Sequence, residues 1–239
     1  MGARNPLNIG AVARAMSNFG LFRLRVVNPY PVAFREARSA VGASKLLANA
    51  EECKSVAEAV ADCALIVGTT AIRQRELQHP LRRLEYGAQL IRRQLASSCV
   101  ALLFGSEKRG LSNQDLSHCH WVMRIPTHDE HSSMNLGQAV AVCLYELVRE
   151  AKATRPSEKV QPAPAGEVER ITAMLFDALG ASGYVRPGAA SSTHEKVRRL
   201  VRRLAIQARD AQVWVGMLRQ IVWKLQSGGA SKDDQALGL

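Results

Sequence analysis

The chain has 239 residues, of which 47% are hydrophobic and 22% are charged, as is ordinary for a globular protein. It contains no run of about 18 apolar residues, which excludes a membrane span, and its first residues lack the apolar core of a secretion signal. Its 32 Lys and Arg residues exceed its 21 Asp and Glu residues by 11 charges. An excess of this size favours a polyanionic partner, although a basic surface with no dedicated partner is the alternative.

The first half of the chain alternates helical and strand signals, which predicts an α/β domain over residues 1–150. Apolar residues at helical spacing predict a first helix that stops at Gly20, and a strand over Leu21–Val27 follows it. The remaining predicted elements are, in chain order, a helix at Ser55–Ala61, a strand at Ala64–Val67, an amphipathic helix at Pro80–Leu95, strands at Cys99–Phe104 and Trp121–Ile125, and a helix at Leu136–Leu147. In the amphipathic helix, five residues are expected to face inward, namely Leu81, Leu84, Ala88, Ile91 and Leu95.

The second half changes character. Residues 151–166 are rich in Pro, Ser, Lys and Ala and are predicted to be a linker. Residues 167–226 show helical patterns only, so they are predicted to form a small all-helical extension, with residues 227–239 as a disordered tail. The second helix of this extension has a predicted apolar face of four residues, which are Val197, Leu200, Val201 and Leu204. Residues 151–239 carry 14 basic and 8 acidic side chains, so much of the positive charge lies here.

Five cysteines are scattered along the chain, and no two of them form a C-x-x-C pair: Cys53, Cys63, Cys99, Cys119 and Cys143. An odd number without close pairs is typical of reduced thiols in the cytoplasm rather than of disulfides or a structural zinc site. The histidines also lack the spacing of zinc ligands, so no metal site is predicted.

Three short segments carry the candidate chemistry, and the first is residues 104–111. This segment follows a strand and precedes a helix start, the position at which α/β proteins bind ligands. Gly105 and Gly110 allow the backbone to approach a ligand closely. The segment matches neither a P-loop nor the dinucleotide fingerprint, and a plain glycine-bearing turn is the alternative.

The second segment, residues 125–138, runs from Ile125 through a polar loop to a predicted helix start. Its hydrogen-bonding groups cluster where the unpaired N–H groups of a helix await a partner. Helix capping by Ser133 or Asn135 is the alternative interpretation.

The third segment, residues 5–14, places Asn8 and Gly10 at a helix start and Arg14 on the face opposite Ile9. An arginine in this position is suited to clamp an RNA phosphate with two hydrogen bonds. A solvated surface charge is the alternative.

In combination, the three segments resemble the motifs of the TrmH-type SPOUT methyltransferases. Asn5-Pro6-Leu7-Asn8-Ile9-Gly10 with Arg14 is similar to the first motif, Phe104-Gly105-x-Glu107-x-x-Gly110-Leu111 to the second, and Ile125-Pro126 with Ser132-Ser133-Met134-Asn135-Leu136 to the third. Order, spacing and predicted elements agree over residues 5–150. The basic helical extension narrows the resemblance to the TrmJ-type tRNA 2′-O-methyltransferases.

The resemblance implies a mainly parallel α/β fold with a deep trefoil knot in the catalytic domain, which periodicity alone would not predict. It also implies a homodimer in which the two subunits complete each active site. By position, the residues expected to line a pocket for S-adenosylmethionine are Thr69, Thr70, Ala71, Gly105, Gly110, Ile125, Ser133 and Met134.

The implied reaction is methylation of a ribose 2′-hydroxyl of tRNA, with position 32 of the anticodon loop as the expected target. The resemblance assigns catalysis to Arg14. Because a guanidinium with a pKa above about 12 is almost never neutral, we expect Arg14 to orient a phosphate and stabilise developing alkoxide rather than to act as a base. The side chains expected to position the ribose and the loops are Asn8, Glu107, Ser133 and Asn135.

In the extension, four arginines are predicted to bind RNA phosphates, with a solvated basic face as the alternative: Arg198, Arg199, Arg202 and Arg203. Two other functions stay open, namely an rRNA ribose methyltransferase of the same superfamily and an RNA-binding relative without catalytic activity. The extension follows the catalytic domain here, which favours tRNA.

The chain departs from the family pattern before the first motif. An apolar strand normally leads into this motif, whereas only Met1–Arg4 precede it here. We therefore expect the first strand to be shortened and one position of the sheet to be empty.

Overall fold

The computed structural model describes residues 1–39, 45–71, 78–149 and 161–233. The chain divides into two compact units, Met1–Lys159 and Val160–Leu239. Most of the predicted linker lies outside the described residues. Within the described ranges, no helix combines the length and the apolar character that crossing a membrane requires.

The first unit alternates helices with short strands. Its elements are α1 (Pro6–Asn18), β1 (Arg25–Val27), α2 (Pro31–Ser39), α3 (Lys45–Ala48), β2 (Glu51–Cys53), α4 (Val56–Val60), β3 (Leu65–Thr69), β4 (Leu81–Arg83), α5 (Leu84–Leu95), β5 (Val100–Leu103), α6 (Asn113–Leu116), β6 (Trp121–Arg124) and α7 (Leu136–Val148). Strands β1 and β2 form one sheet, and the other has the order β4-β6-β3-β5. Every pair is parallel, which confirms the predicted α/β class with parallel sheets.

Strand β3 lies at the centre of the larger sheet. Leu65 is in register with Val100 of β5, and Val67 is in register with Trp121 of β6. Ile66 is wholly buried, as expected for a parallel strand covered by helices on both faces. Because all three strands run in the same direction, their carboxyl ends meet at one edge of the sheet.

Two predicted elements of the first unit were wrong in extent or type. The predicted strand Leu21–Val27 is a strand only from Arg25, since its neighbour β2 offers three residues for pairing. The predicted helix Pro80–Leu95 begins at Leu84, and Leu81–Arg83 instead pair with β6 as strand β4. Of the five residues expected to face inward, Leu84, Ala88 and Ile91 are buried, whereas Leu81 in β4 and Leu95 at the end of α5 are 41% and 47% exposed.

An apolar cavity of about 440 Å³ separates the two sheets. Consecutive residues of two segments, 20–27 and 99–104, line it, as expected where the backbone edges of two strands face each other. At one end, the Gly2 N–H donates to the carbonyl of Val27 and the Met1 nitrogen donates to the carbonyl of Phe104.

The second unit contains helices α8 (Ala165–Ala181), α9 (Ala190–Arg203) and α10 (Ala208–Asp233). Their core includes Ile171, Val201 and Ala211. Helix α10 extends to Asp233, and residues 234–239 lie outside the described part of the chain, so the predicted disorder of the tail stays a prediction.

The apolar face predicted for α9 was half wrong. Val197 and Val201 are buried, but Leu200 and Leu204 are 48% and 50% exposed. Helix α9 presents Arg198 to the interior instead, since this arginine pairs with Glu169 of α8.

Candidate active site

Helix α1 carries the first site residues. The Asn5 side chain accepts a hydrogen bond of 2.9 Å from the Leu7 N–H and so caps the helix, and Pro6 occupies its first turn. Ile9 is buried, whereas Arg14 is exposed on another face. No described residue forms a hydrogen bond or an ion pair with the Arg14 side chain.

The segment after β5 forms a tight turn that requires glycine at two positions. Gly110 has φ +66° and donates its N–H to the carbonyl of Ser106 at 2.8 Å. A Cβ atom added to Gly105 would lie 1.9 Å from the carbonyl carbon of Gly110. No side chain fits at Gly105 unless this turn opens.

A hydrogen-bonded chain joins the three segments that the sequence predicted to form the site. The Asn8 side-chain amide donates to Glu107 Oε1 at 2.9 Å, and the Asn135 amide donates to Asn8 Oδ1 at 2.9 Å. Asn135 Oδ1 in turn accepts the N–H of Gly137 at 2.9 Å and so caps α7. We call Asn8, Glu107 and Asn135 the amide–carboxylate triad. Asn135 therefore caps α7 with its oxygen and bonds to Asn8 with its nitrogen, and its role in catalysis stays a prediction.

The Glu107 carboxylate is held in its charged form. Partial burial by itself raises its pKa, but hydrogen bonds from the Asn8 side chain and from the backbone N–H groups of Glu107, Arg4 and Asn5 outweigh that effect, so the pKa is lowered. A carboxylate with a lowered pKa is a weak base. Its place in the site is therefore to fix the first turn of α1 against the glycine turn.

Gly137 was not singled out from the sequence, although the structure gives it a specific role. A Cβ atom added to it would lie 2.6 Å from Cβ of Ala11, so a side chain there would push α7 away from α1. Arg14 lies one turn beyond Ala11 on α1. A glycine two residues after an N-cap asparagine was the available signal, since that position seldom needs glycine for capping alone.

Several residues predicted to bind the cofactor lie at the shared edge of the larger sheet. The Thr69 hydroxyl donates to the carbonyl of Leu103 at 2.8 Å, and the Thr70 N–H donates to the carbonyl of Met123 at 3.0 Å. Thr69 ends β3, Gly105 lies two residues after β5, and Ile125 comes directly after β6. All three therefore lie at the carboxyl ends of neighbouring strands, the position at which parallel sheets bind ligands.

The loop before α7 is less closely tied to these strand ends. Ser133 is exposed and Met134 is half-buried. Among the described residues, no hydrogen bond joins Ser133 to the amide–carboxylate triad. Ala71 is exposed and borders residues 72–77, which lie outside the described part of the chain. The roles assigned to Ala71, Ser133 and Met134 remain predictions.

Two of the four arginines predicted to bind RNA are not on the surface. The Arg198 side chain is 9% exposed and makes hydrogen bonds to both carboxylate oxygens of Glu169, and the Arg202 side chain is 1% exposed and lies 3.5 Å from the same carboxylate. A guanidinium buried against a carboxylate cannot also bind a phosphate. For Arg198 and Arg202 the prediction was wrong, because their helical spacing places them on the same side of α9 as the buried Val197 and Val201.

The other two arginines predicted to bind RNA, Arg199 and Arg203, differ in how much of the side chain is exposed. Arg203 is exposed, whereas the Arg199 side chain is 11% exposed and lies 3.6 Å from Glu195. Lys196 is also exposed and lies seven residues before Arg203, on the same side of the helix. The basic surface of α9 thus consists of Lys196, Arg203 and the edge of Arg199.

Comparison with known proteins places these features in a family. Residues 1–145 match the SpoU rRNA Methylase family. The tRNA (cytidine/uridine-2'-O-)-methyltransferase TrmJ of Sodalis glossinidius (strain morsitans) is 38% identical over 222 residues, covering 90% of this chain and 86% of that protein. The protein of the same name from Cronobacter sakazakii (strain ATCC BAA-894) is 35% identical over 223 residues and covers 90% of both chains. The crystal structure of TrmJ from Z. mobilis ZM4 superimposes on this chain with a TM-score of 0.79 and a sequence identity of 33%. The superposition covers 92% of this chain and 96% of that chain.

Proposed function

The chain belongs to the SpoU methylase family, and we propose that it transfers a methyl group from S-adenosylmethionine to a ribose 2′-hydroxyl of tRNA. The observation that carries this proposal is the amide–carboxylate triad, in which Asn8 holds residues from three distant segments together. The two relatives that align with 90% of the chain are named tRNA (cytidine/uridine-2'-O-)-methyltransferases, which supports tRNA as the substrate class. Position 32 of the anticodon loop is the proposed target, and this choice rests only on the resemblance of the motifs to those of the TrmJ-type methyltransferases.

The cofactor site is proposed at the carboxyl ends of β3, β5 and β6. The residues present fit a ligand there, because Gly105 lets the turn after β5 fold tightly against Gly110 beside the ends of two other strands. Thr69 uses its hydroxyl hydrogen on Leu103, so its oxygen is left as an acceptor. S-adenosylmethionine, when bound, supplies a methyl group activated by its sulfonium. The winding of the chain about this site into a trefoil knot is part of the proposal, and the crossing from β5 to β6 on the far side of β3 is consistent with it.

Arg14 is the proposed catalytic residue. Its exposed guanidinium binds the phosphate next to the target ribose through two donors and holds the 2′-oxygen in line with the methyl carbon. As the new carbon–oxygen bond forms, the positive charge of Arg14 stabilises the developing alkoxide and the hydroxyl proton leaves to solvent. Asn8 and Glu107 position the start of α1, which carries Arg14.

A homodimer is the proposed assembly. Leu7 is 79% exposed and lies seven residues before Arg14, on the same side of α1. Tyr145 on α7 is 55% exposed. Apolar side chains next to a catalytic arginine favour a second subunit that covers this surface and contributes to the site. Sedimentation of the purified protein tests this assembly, and a monomer at micromolar concentration would contradict it.

A methyl-transfer assay tests the proposed function. Purified protein is incubated with radiolabelled S-adenosylmethionine and either tRNA transcripts or rRNA fragments of similar length. Label incorporated into tRNA at a rate at least ten times that for rRNA is the expected result. Faster labelling of rRNA would favour the rRNA methyltransferase that the sequence left open, and RNA binding without any labelling would favour a non-catalytic relative.

A further inference from the structure

Two cysteines lie side by side at the start of two neighbouring strands. Cys63 comes two residues before β3 and Cys99 comes directly before β5. The strands are parallel, and the Ala64 N–H donates to the carbonyl of Cys99 at 2.9 Å. The two Sγ atoms are 3.1 Å apart. Since a disulfide requires about 2.0 Å, the two sulfurs must approach each other by only about 1 Å to bond.

The two thiols differ in how far they are exposed to solvent. Both line the apolar cavity between the sheets, but Cys63 is 2% exposed whereas Cys99 is partly exposed. Burial, and then the contact with Cys99, raises the pKa of the Cys63 thiol far above its usual range. Cys99 is therefore the more accessible of the two thiols to a small oxidant, and Cys63 stays protonated beside it.

The same pair is poorly suited to hold a metal ion. The Asp62 carboxylate lies within 4.8 Å of both sulfurs and would complete a set of three ligands. Its oxygens, however, already accept hydrogen bonds from Arg25, and Arg23 lies 2.9 Å away. A cation at this place would face two guanidinium groups, so the arrangement favours thiol chemistry over coordination.

We propose that Cys63 and Cys99 form a reversible intramolecular disulfide when the protein meets hydrogen peroxide. The Cys99 thiol gives up its proton, the thiolate attacks one peroxide oxygen and the O–O bond breaks, so Cys99 becomes a sulfenic acid and the released hydroxide takes up the lost proton as water. The Cys63 sulfur then displaces the hydroxyl group of the sulfenic acid, and its proton passes to that departing hydroxide. Two thiols are oxidised and one peroxide is reduced to two molecules of water. A small dithiol reverses the bond by exchange.

The disulfide ties the amino ends of β3 and β5, the strands that carry Thr69 and Gly105 at their other ends. A loop of about 35 residues between the two cysteines would be closed, which restricts the unfolded chain. We therefore expect the oxidised protein to melt roughly 5–10 °C above the reduced protein.

Counting thiols in the full chain tests the proposal. The protein is treated with a slight excess of hydrogen peroxide, quenched with catalase, denatured and alkylated with N-ethylmaleimide. Mass spectrometry should find three alkylated cysteines of the five, a cross-linked peptide containing Cys63 and Cys99, and five alkylated cysteines after reduction. Five alkylated cysteines after peroxide, or oxidation spread over Cys53, Cys119 and Cys143, would overturn it.

Single substitutions separate the two steps. C99S should keep all four of its remaining thiols after peroxide. C63S should stop at a Cys99 sulfenic acid that dimedone traps. C143S is the matched control, because Cys143 is wholly buried in α7 and should leave the cross-link intact. If C63S does not fold by circular dichroism, C99S alone decides, and a disulfide that still forms in C99S contradicts the proposed pairing.

Discussion

Asn8 and Glu107 are 99 positions apart in the chain, and their side chains meet through a hydrogen bond of 2.9 Å. The bond joins the first turn of α1 to the glycine turn after β5. Because Asn8 also accepts from Asn135, one amide uses both its donor and its acceptor to connect three segments. Arg14 is carried on the helix that this amide fixes, which links the packing of the site to its chemistry.

Replacing Arg14 should remove catalysis without removing the cofactor site. R14A is expected to lower kcat by at least 1000-fold, since charge stabilisation and phosphate orientation are lost together. Affinity for S-adenosylmethionine, measured by calorimetry, should change less than threefold. R93A removes an arginine that is also exposed, on α5, and should keep normal turnover. Retained turnover in R14A would refute the assignment.

The stability contributed by the charged form of Glu107 should depend on pH in a defined direction. Its folded pKa lies below the ordinary value of 4.5, so this contribution is complete above about pH 4.5 and is lost as the pH falls through the folded pKa. Urea unfolding of the native protein and of E107Q between pH 7 and pH 3.5 measures the difference. The native protein should be more stable at neutral pH, and its advantage over E107Q should shrink as the pH falls below about 4.5. A constant difference over the whole range would contradict a lowered pKa.

Gly105 should not tolerate even a methyl group. G105A is expected to destabilise the first unit by about 1–3 kcal/mol, because the added carbon overlaps the backbone of Gly110. Affinity for S-adenosylmethionine should fall at least tenfold as the turn opens. The matched control is G180A in α8, where nothing lies within 4 Å, and it should stabilise the protein by about 0.5 kcal/mol. Equal effects of the two variants would show that the turn is not constrained as described.

Glu169 should be essential to the second unit. E169A leaves Arg198 and Arg202 buried without their carboxylate, so a loss of about 3 kcal/mol in the free energy of unfolding is expected. E195A removes the carboxylate beside Arg199 at 3.6 Å and should cost less than about 1 kcal/mol. Chemical denaturation followed by circular dichroism distinguishes them. A small effect of E169A would mean that the buried pair does not hold α8 to α9.

The basic surface of α9 should contribute to RNA affinity through Arg203. R203A is expected to weaken tRNA binding and to lower the slope of log affinity against log salt by about 1, the change expected for one lost phosphate contact. R35A on α2, also an exposed arginine, is the control and should leave the slope unchanged. An identical slope for R203A and the native protein would exclude this helix from the RNA interface.

The sequence predicted those parts of the fold that short-range patterns determine. The spacing of Ile9 and Ala13 predicted α1, and both residues are buried. The resemblance of the three motifs to the SPOUT methyltransferases was confirmed by the family match. Asn8, Glu107 and Asn135 could be named in advance because each stands in a motif, although only the structure shows that they bond to one another.

Other features depend on long-range pairing and could not be predicted from local patterns. Leu81 has the spacing of a helix residue, yet it joins a strand because β6 offers an open edge. Arg198 and Arg202 look like surface cations in the sequence, because nothing near them indicates that Glu169, on another helix, would pair with them in the interior. Tertiary contacts of this kind override local propensity.

Methylation mapped in a single tRNA tests the proposed function most directly. The protein is incubated with S-adenosylmethionine and an unmodified transcript, and 2′-O-methylation is read at nucleotide resolution. We predict one new 2′-O-methyl group, at position 32, which is absent with R14A and absent from a transcript that carries 2′-deoxyribose there. A methyl group placed on a base, or none on any ribose of the tRNA, would contradict the proposal.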